Sequence, residues 1–397
     1  MLKRVDVSNF KSIERSVVEF GRRNIIVGPN ATGKSNLLDV LKFTRDAAQV
    51  GLDEAVSMRH GIDSIRRWSK TRPYIISIKL EFVDLLQNEK GFFKFSLASK
   101  GGEFTVTEEE GVWLGVDPLE PSERDVPFRA RYKRDASGKI ELEAKSNIYS
   151  TLPAPRLSQS ELLITQFNPN ISSPYSLLFR GLYAAVIDYG AYSIYPNVIR
   201  DPQPVSTNTS LQDDGKNLAS VIRKLRSTST RSKRESLTNA LAQVLPSLSE
   251  IKIQNTAGFY LPTFKVDGFD GKNPHYLNMS QVSDGTLRML GMLSAFYQQN
   301  PPERVALEEP EQMIHPGLLP VLFEAAEDYL EGNQSRQLFL TTHSPTLLDM
   351  FDVEDIIVAH WENDISSFSP ISERQRDIVR QRLFTAGELM VVEGLIL

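Results

Sequence analysis

Gly28-Pro29-Asn30-Ala31-Thr32-Gly33-Lys34-Ser35 is the stretch that decides the fold. It matches the spacing G-x-x-x-x-G-K-[ST] in full. An apolar run from Asn24 to Val27 precedes it and reads as a strand. Asn36 to Ala48 comes next and reads as a helix with Leu37, Leu38 and Leu41 on one face. The glycines permit a wrapped backbone whose successive N–H groups aim at phosphate oxygens. The helix N-terminus adds a partial positive charge. In this pattern Lys34 holds the β- and γ-phosphates and Ser35 ligates Mg²⁺.

A phosphate loop alone gives binding. Hydrolysis also needs an acid near Mg²⁺ and a carboxylate that orients water. Val305-Ala306-Leu307-Glu308-Glu309-Pro310-Glu311 supplies both after a short apolar strand. Glu308 stands at the strand end, on the Mg²⁺ side, and Glu309 is the candidate general base. A solvated acidic turn is the plainer alternative. Upstream, Val282-Ser283-Asp284-Gly285-Thr286 opens a helix. It reads either as an ordinary serine cap or as a second phosphate-binding turn, and its place among the other motifs favours the second. Downstream, Phe339-Leu340-Thr341-Thr342-His343-Ser344-Pro345 is a strand running into a polar turn. A histidine there can reach a γ-phosphate or the attacking water.

Around these blocks the chain has the organisation of an α/β protein. Leu2 to Val7 and Ser16 to Phe20 read as strands. The stretch from Tyr74 to Leu142 alternates apolar and polar residues, with turns at Gly101-Gly102 and Ser137-Gly138, as an antiparallel β insertion does. Leu157 to Leu248 reads as mostly helical. Helix and strand then alternate from Ser283 to Ala359, which implies a largely parallel sheet. The expected divisions are 1–72 and 249–397 for the two parts of an ATPase domain, 73–150 for the β insertion and 151–248 for a helical lid.

The 397 residues carry 45 Lys plus Arg against 50 Asp plus Glu, a net charge of −5. Such a balance gives no case for a nucleic-acid coat protein. The absence of cysteine excludes disulfides, cysteine nucleophiles and thiolate zinc sites. His60, His275, His315, His343 and His360 show no metal-ligand spacing. No apolar run approaches the length of a membrane helix, so a cytoplasmic protein without membrane contact is expected.

The four motifs, in this order, resemble the ABC-type ATPases of the RecF, SMC and OLD group. The nearest likeness is to compact bacterial AAA-type ATPases found beside a second protein in phage-defence or toxin-like modules. Gly28-Pro29-Asn30, Asn36 after Ser35, Glu308-Glu309-Pro310-Glu311 with His315-Pro316, Thr342-His343-Ser344-Pro345 and the opening Val7-Ser8-Asn9-Phe10-Lys11-Ser12-Ile13 carry it. So does Leu211 to Ala219, which looks like that subgroup's lid.

The resemblance implies a P-loop NTPase with an ABC-ATPase-like mixed sheet, an antiparallel β insertion and a helical lid. It implies ATP bound by residues Gly28, Pro29, Asn30, Ala31, Thr32, Gly33, Lys34, Ser35 and Asn36, with Mg²⁺ held by Ser35 and Glu308. Glu309 would be the catalytic glutamate, His343 the switch histidine and Lys34 the phosphate lysine. Ser283 and Gly285 would contact ATP bound to an opposite subunit, giving a homodimer or higher even oligomer. Asp284 departs from the transporter-type signature, which has glycine there, and places a carboxylate near the phosphates.

The last motif ends near residue 345. The residues beyond it are expected to fit one or two strands and a tail, too little for a nuclease or Toprim domain. A separate effector protein is therefore the expected partner. Arg223, Lys224, Arg226, Arg231, Lys233 and Arg234 form a basic run that reads either as a solvated face or as a DNA contact. A second such run covers Arg66 to Arg72. A RecF-like repair ATPase that binds DNA directly and a transporter's ATPase subunit are the alternative functions.

Overall fold

The computed structural model describes residues 1–68, 74–84, 89–115, 128–144, 155–171, 173, 175–208, 210–268 and 273–395. Part of the second basic run, residues 69–72, lies outside them. The chain divides into two compact units. Among the described residues one comprises Met1–Tyr189 and Asp355–Ser372, the other Gly190–Glu354 and Glu373–Leu395.

The first unit contains an antiparallel sheet of seven strands, β1 (Leu2–Phe10), β2 (Ile13–Glu19), β4 (Ile76–Asp84), β5 (Glu89–Lys100), β6 (Glu103–Gly115), β7 (Phe128–Arg134) and β8 (Ile140–Ala144), in the order β2-β1-β4-β5-β6-β7-β8. Period-two patterning explains β4, where Ile76, Ile78, Leu80 and Phe82 are buried in alternation. Positive φ at Gly101 and Gly102 turns β5 into β6. The β insertion grows directly from the N-terminal hairpin, because β1 pairs with β4 at Val5↔Leu80 and Val7↔Ile78. The sheet thus runs across the division drawn at residue 72.

The same unit holds β3 (Arg23–Val27), which pairs in parallel with β16 (Ile356–Glu362), and β17 (Ile365–Pro370), antiparallel to β16. Its helices are α1 (Lys34–Gln49), α2 (Leu52–Ser57), α3 (Ile62–Ile65), α4 (Tyr175–Leu178) and α5 (Arg180–Ile187). Phe43 of α1 sits between Phe10 of β1 and Phe95 of β5, with ring centroids 5.7 and 6.1 Å away. Burying one such side chain contributes about 1.5–3 kcal/mol, so the helix behind the phosphate loop is seated on the sheet.

A buried polar knot ties the β insertion to the 3₁₀ turn Leu163–Phe167. Glu109 is fully buried and accepts the N–H groups of Leu163 (2.6 Å) and Ile164 (3.0 Å) and the hydroxyl of Tyr132 (3.0 Å). Nearby, Arg134 donates to the carbonyls of Glu161 and Ser158. Burial pushes the Glu109 carboxyl up from 4.5 to about 7, against the pull of its backbone N–H donors, Tyr132 and the Arg134 charge.

The folded chain therefore keeps this proton to about pH 7, whereas the unfolded chain releases it near 4.5. Stability should fall as pH rises through that window, by roughly 1.4 kcal/mol per pH unit from this group. Glu109→Gln cannot titrate and should flatten the slope in denaturant unfolding. A variant that keeps the wild-type slope would place the titration on another group.

The second unit carries β9 (Tyr189–Tyr192) from Gly190 on, α6 (Pro196–Arg200), β10 (Gln203–Pro204), α7 (Leu218–Lys224), α8 (Arg231–Val244), β11 (Leu248–Thr256), β12 (Phe259–Val266) and β13 (His275–Asn278). Next come α9 (Asp284–Tyr297), β14 (Arg304–Glu308), α10 (Leu319–Glu331), β15 (Gln337–Thr342), α11 (Pro345–Leu348), α12 (Glu373–Arg380) and α13 (Ala386–Val392). The stretch expected as mostly helical is broken by β9 and β10. Tyr189-Gly190-Ala191-Tyr192 is too short for periodicity to separate strand from helix. A small antiparallel sheet, β10-β12-β11 with β13 beside β12, comes after it. β14 and β15 run in parallel, with Glu308 opposite Thr341. Among the described residues no helix is long and apolar enough to cross a membrane.

Candidate functional site

In the first unit, β3 buries Ile25, Ile26 and Val27 and delivers the chain to Gly28. Positive φ at Ala31 (66°) and Gly33 (93°) wraps the loop, and Thr32 Oγ1 closes it on the Pro29 carbonyl at 2.9 Å. α1 starts at Lys34 with no side-chain cap bond and no acidic residue in its first turn. Helix N-termini usually satisfy their orphan N–H groups with a side-chain cap. Gly33, the residue before this helix, has no side chain to supply such a cap. The Lys34 ammonium is buried and folds back on the carbonyls of Gly28 (2.9 Å) and Pro29 (3.0 Å). Pro29, Asn30, Ala31 and Ser35 are exposed. A triphosphate and Mg²⁺ fit this donor set: backbone N–H groups, an ammonium and an open hydroxyl. The Asn36 amide is turned to Ser12 Oγ at 2.6 Å.

In the second unit, Glu309 comes directly after β14 with φ at 43°. Its N–H donates to the Thr341 carbonyl (3.0 Å) and hydroxyl (3.1 Å) on β15. The turn brings Glu309 Oε1 to 3.1 Å from His343 Nε2, both half-buried. Gln312 donates to the other Glu309 oxygen. Glu311 Oε1 accepts the His343 N–H (2.8 Å) and the Thr342 hydroxyl (2.7 Å), which fixes the backbone that carries the histidine.

Arg288, buried on α9, donates to the carbonyls of Glu309 and Ile194, each at 3.0 Å. Burial pulls its pKa down from the ordinary value. Ser283 caps α9 through the Thr286 N–H at 3.2 Å. A Cβ on Gly285 would stand 2.8 Å from the Met313 carbonyl, so only glycine fits there. Asp284 is paired with Arg200 at 2.5 Å. The carboxylate that departs from the transporter-type signature is thus partly neutralised.

The loop residues gather in the first unit. In the second, Glu308, Glu309 and His343 lie together at the ends of β14 and β15, while Ser283 and Gly285 stand at the start of α9. Arg288, Gln312, Arg200, and the bonds made by Glu311, Ser12 and Ser366, were not read from the sequence. Arg288 left one signal, a charge inside the apolar run Leu287 to Leu290.

The basic run does not form one free face. Arg223 lies over the Tyr260 ring at 4.9 Å, and Arg231 pairs with Glu235 at 2.8 Å. Lys233 caps α9 through the Gln298 and Gln299 carbonyls at 3.1 and 2.7 Å.

A family model described as "AAA domain, putative AbiEii toxin, Type IV TA system" matches residues 23–349. The DNA double-strand break repair Rad50 ATPase of Sulfurisphaera tokodaii is 42% identical over 45 residues. Those residues are 11% of this chain and 5% of that relative, so the chain matches about a twentieth of the relative's length. Among solved structures, an SMC head bound to the C-winged helix domain of ScpA aligns with a TM-score of 0.54 and 13% identity. The alignment covers 94% of this chain and 98% of that one. At that identity the likeness is one of fold.

Proposed function

The chain belongs to the AAA-domain family whose model spans residues 23–349, with the fold of an SMC-head P-loop ATPase, and on that premise we propose that it is an ATP-hydrolysing switch. It dimerises around ATP and regulates a separate effector in a two-component bacterial module of the anti-phage, toxin–antitoxin kind. The observation that carries the enzymatic part is the Glu309–His343 contact at 3.1 Å, set at the end of a buried strand. Glycine-only backbone at Gly33 and an uncapped helix start support the nucleotide part.

In this reading the backbone N–H groups of residues 30–36 and the Lys34 ammonium hold the triphosphate. Ser35 and Glu308 hold Mg²⁺, which supplies charge neutralisation for the phosphates when bound. Glu309 takes a proton from the attacking water. His343 orients the Glu309 carboxylate, and Arg288 and Glu311 hold the two turns that present the pair. Ser283 and Gly285 serve ATP on the opposite protomer.

The test is phosphate release by the purified chain with ATP and Mg²⁺, together with a pull-down from the native host. We expect slow, saturable release, mass doubling with ATP in light scattering, and one second protein in stoichiometric amount. No phosphate release would remove the enzymatic claim. Recovery of nuclease-sensitive DNA without a second protein would remove the effector claim.

A further inference from the structure

We propose that Ser366, from the β16–β17 hairpin, and Ser12, from the β1–β2 turn, are positioning residues for the phosphate loop. The inference rests on the reading that this loop binds ATP.

Three observations meet there. Ser366 is fully buried; its N–H donates to the Ser12 carbonyl at 3.0 Å, and its Oγ lies 2.6 Å from Ser12 Oγ. Asn36 in the first turn of α1 donates its amide to the same Ser12 Oγ at 2.6 Å. A hydrogen-bonded chain therefore runs from the start of α1 through Ser12 in the N-terminal turn to Ser366, 354 residues from Ser12 in sequence.

The loop backbone also rests on this chain. A Cβ on Gly33 would stand 2.2 Å from Ser366 Oγ and 2.9 Å from Ser12 Oγ. The same hairpin meets the other end of the loop, where a Cβ on Gly28 would stand 2.3 Å from the Ala359 carbonyl on β16. Both glycines of the motif are thus pressed against one hairpin.

A phosphate-binding loop works because its N–H dipoles already point where charge will sit. The hairpin fixes that direction by contact at Gly28 and Gly33. The two hydroxyls bonded to each other, with the Asn36 amide on that of Ser12, fix the rotation of the first helical turn. A methyl group at Ser12 would keep the packing but take this partner from the Asn36 amide and from the Ser366 hydroxyl; one at Ser366 would take it from the Ser12 hydroxyl.

The experiment measures Mg·ATP affinity of the full chain by calorimetry, with the unfolding midpoint of the nucleotide-free protein measured alongside. Ser12→Ala and Ser366→Ala should each weaken ATP by about 5- to 10-fold. The double variant should be no more than about twofold weaker than either, because one chain is broken only once. Ser12→Thr keeps the hydroxyl and should stay within about twofold of wild type. The unfolding midpoints should fall by no more than a few degrees, leaving each variant folded at the assay temperature.

Unchanged affinity in Ser366→Ala, losses that multiply in the double variant, or losses that merely track a lowered midpoint would each overturn the assignment. Lys34→Ala separates the two ideas. If wild type binds ATP, Lys34→Ala does not, and the serine variants match wild type, only the serine assignment falls. If wild type and Lys34→Ala behave alike, the ATP reading itself falls.

Discussion

Replacing Glu309 by glutamine should leave ATP binding near the wild-type level while lowering turnover by about 100-fold or more, the usual contribution of a positioned general base. The side chains are nearly equal in size, so the turn after β14 has no steric reason to change. Its support is backbone-directed. The Glu309 N–H goes to Thr341 and the Glu309 carbonyl to Arg288, and neither bond uses the carboxylate.

What changes is the group facing water. An amide does not accept the proton, and its N–H₂ presents donors where His343 and Gln312 now approach two oxygens. The loss should therefore appear in kcat with little change in the ATP dissociation constant, the pattern of an interaction made only in the transition state. Equal kcat in the variant would take the base role from Glu309. A loss confined to KM would make it a binding residue instead.

Local secondary structure was legible and long-range pairing was not. Gly28 to Ser35, Glu308-Glu309 and Thr342-His343 are contiguous runs in which spacing alone fixes the strand–loop–helix context. β3, α1, α9, β14 and β15 lie where the apolar periodicity put them. The seven-stranded sheet was only half visible. Alternation identifies β4 to β6, but nothing in a period of two says that Leu80 pairs with Val5.

Side-chain partners far apart in sequence share that difficulty. Ser12 and Ser366 are ordinary serines until the fold brings them together, and the bond from the His343 N–H to the Glu311 carboxylate depends on the parallel pairing of β14 and β15. The basic run Arg223 to Arg234 shows the converse. A charge pattern reports cations, and only the fold reveals that Arg223 lies over Tyr260 while Lys233 ends α9.

Mixing two inactive variants should restore activity. In the proposed dimer each ATP takes Lys34 from one protomer and Ser283 from the other. Lys34→Ala alone lacks the phosphate lysine in both sites. Ser283→Arg alone should fill the trans position in both sites, since within its own chain the native hydroxyl reaches Thr286 and a guanidinium there is far larger. Each homodimer should then turn over ATP at the background level.

A mixed dimer is different, because both defects fall in one site and the other is wild type. Random exchange of equal amounts makes half the dimers mixed, each with one working site of two, so the mixture should recover about a quarter of wild-type activity by the symmetry of a twofold assembly. The rise from background to about a quarter is read by phosphate release after mixing at equal concentration. Activity that remains at the sum of the two separate variants, in a mixture shown by tagged capture to contain mixed dimers, would mean that Ser283 serves its own protomer. Full activity of Ser283→Arg by itself would remove the signature turn from the reaction.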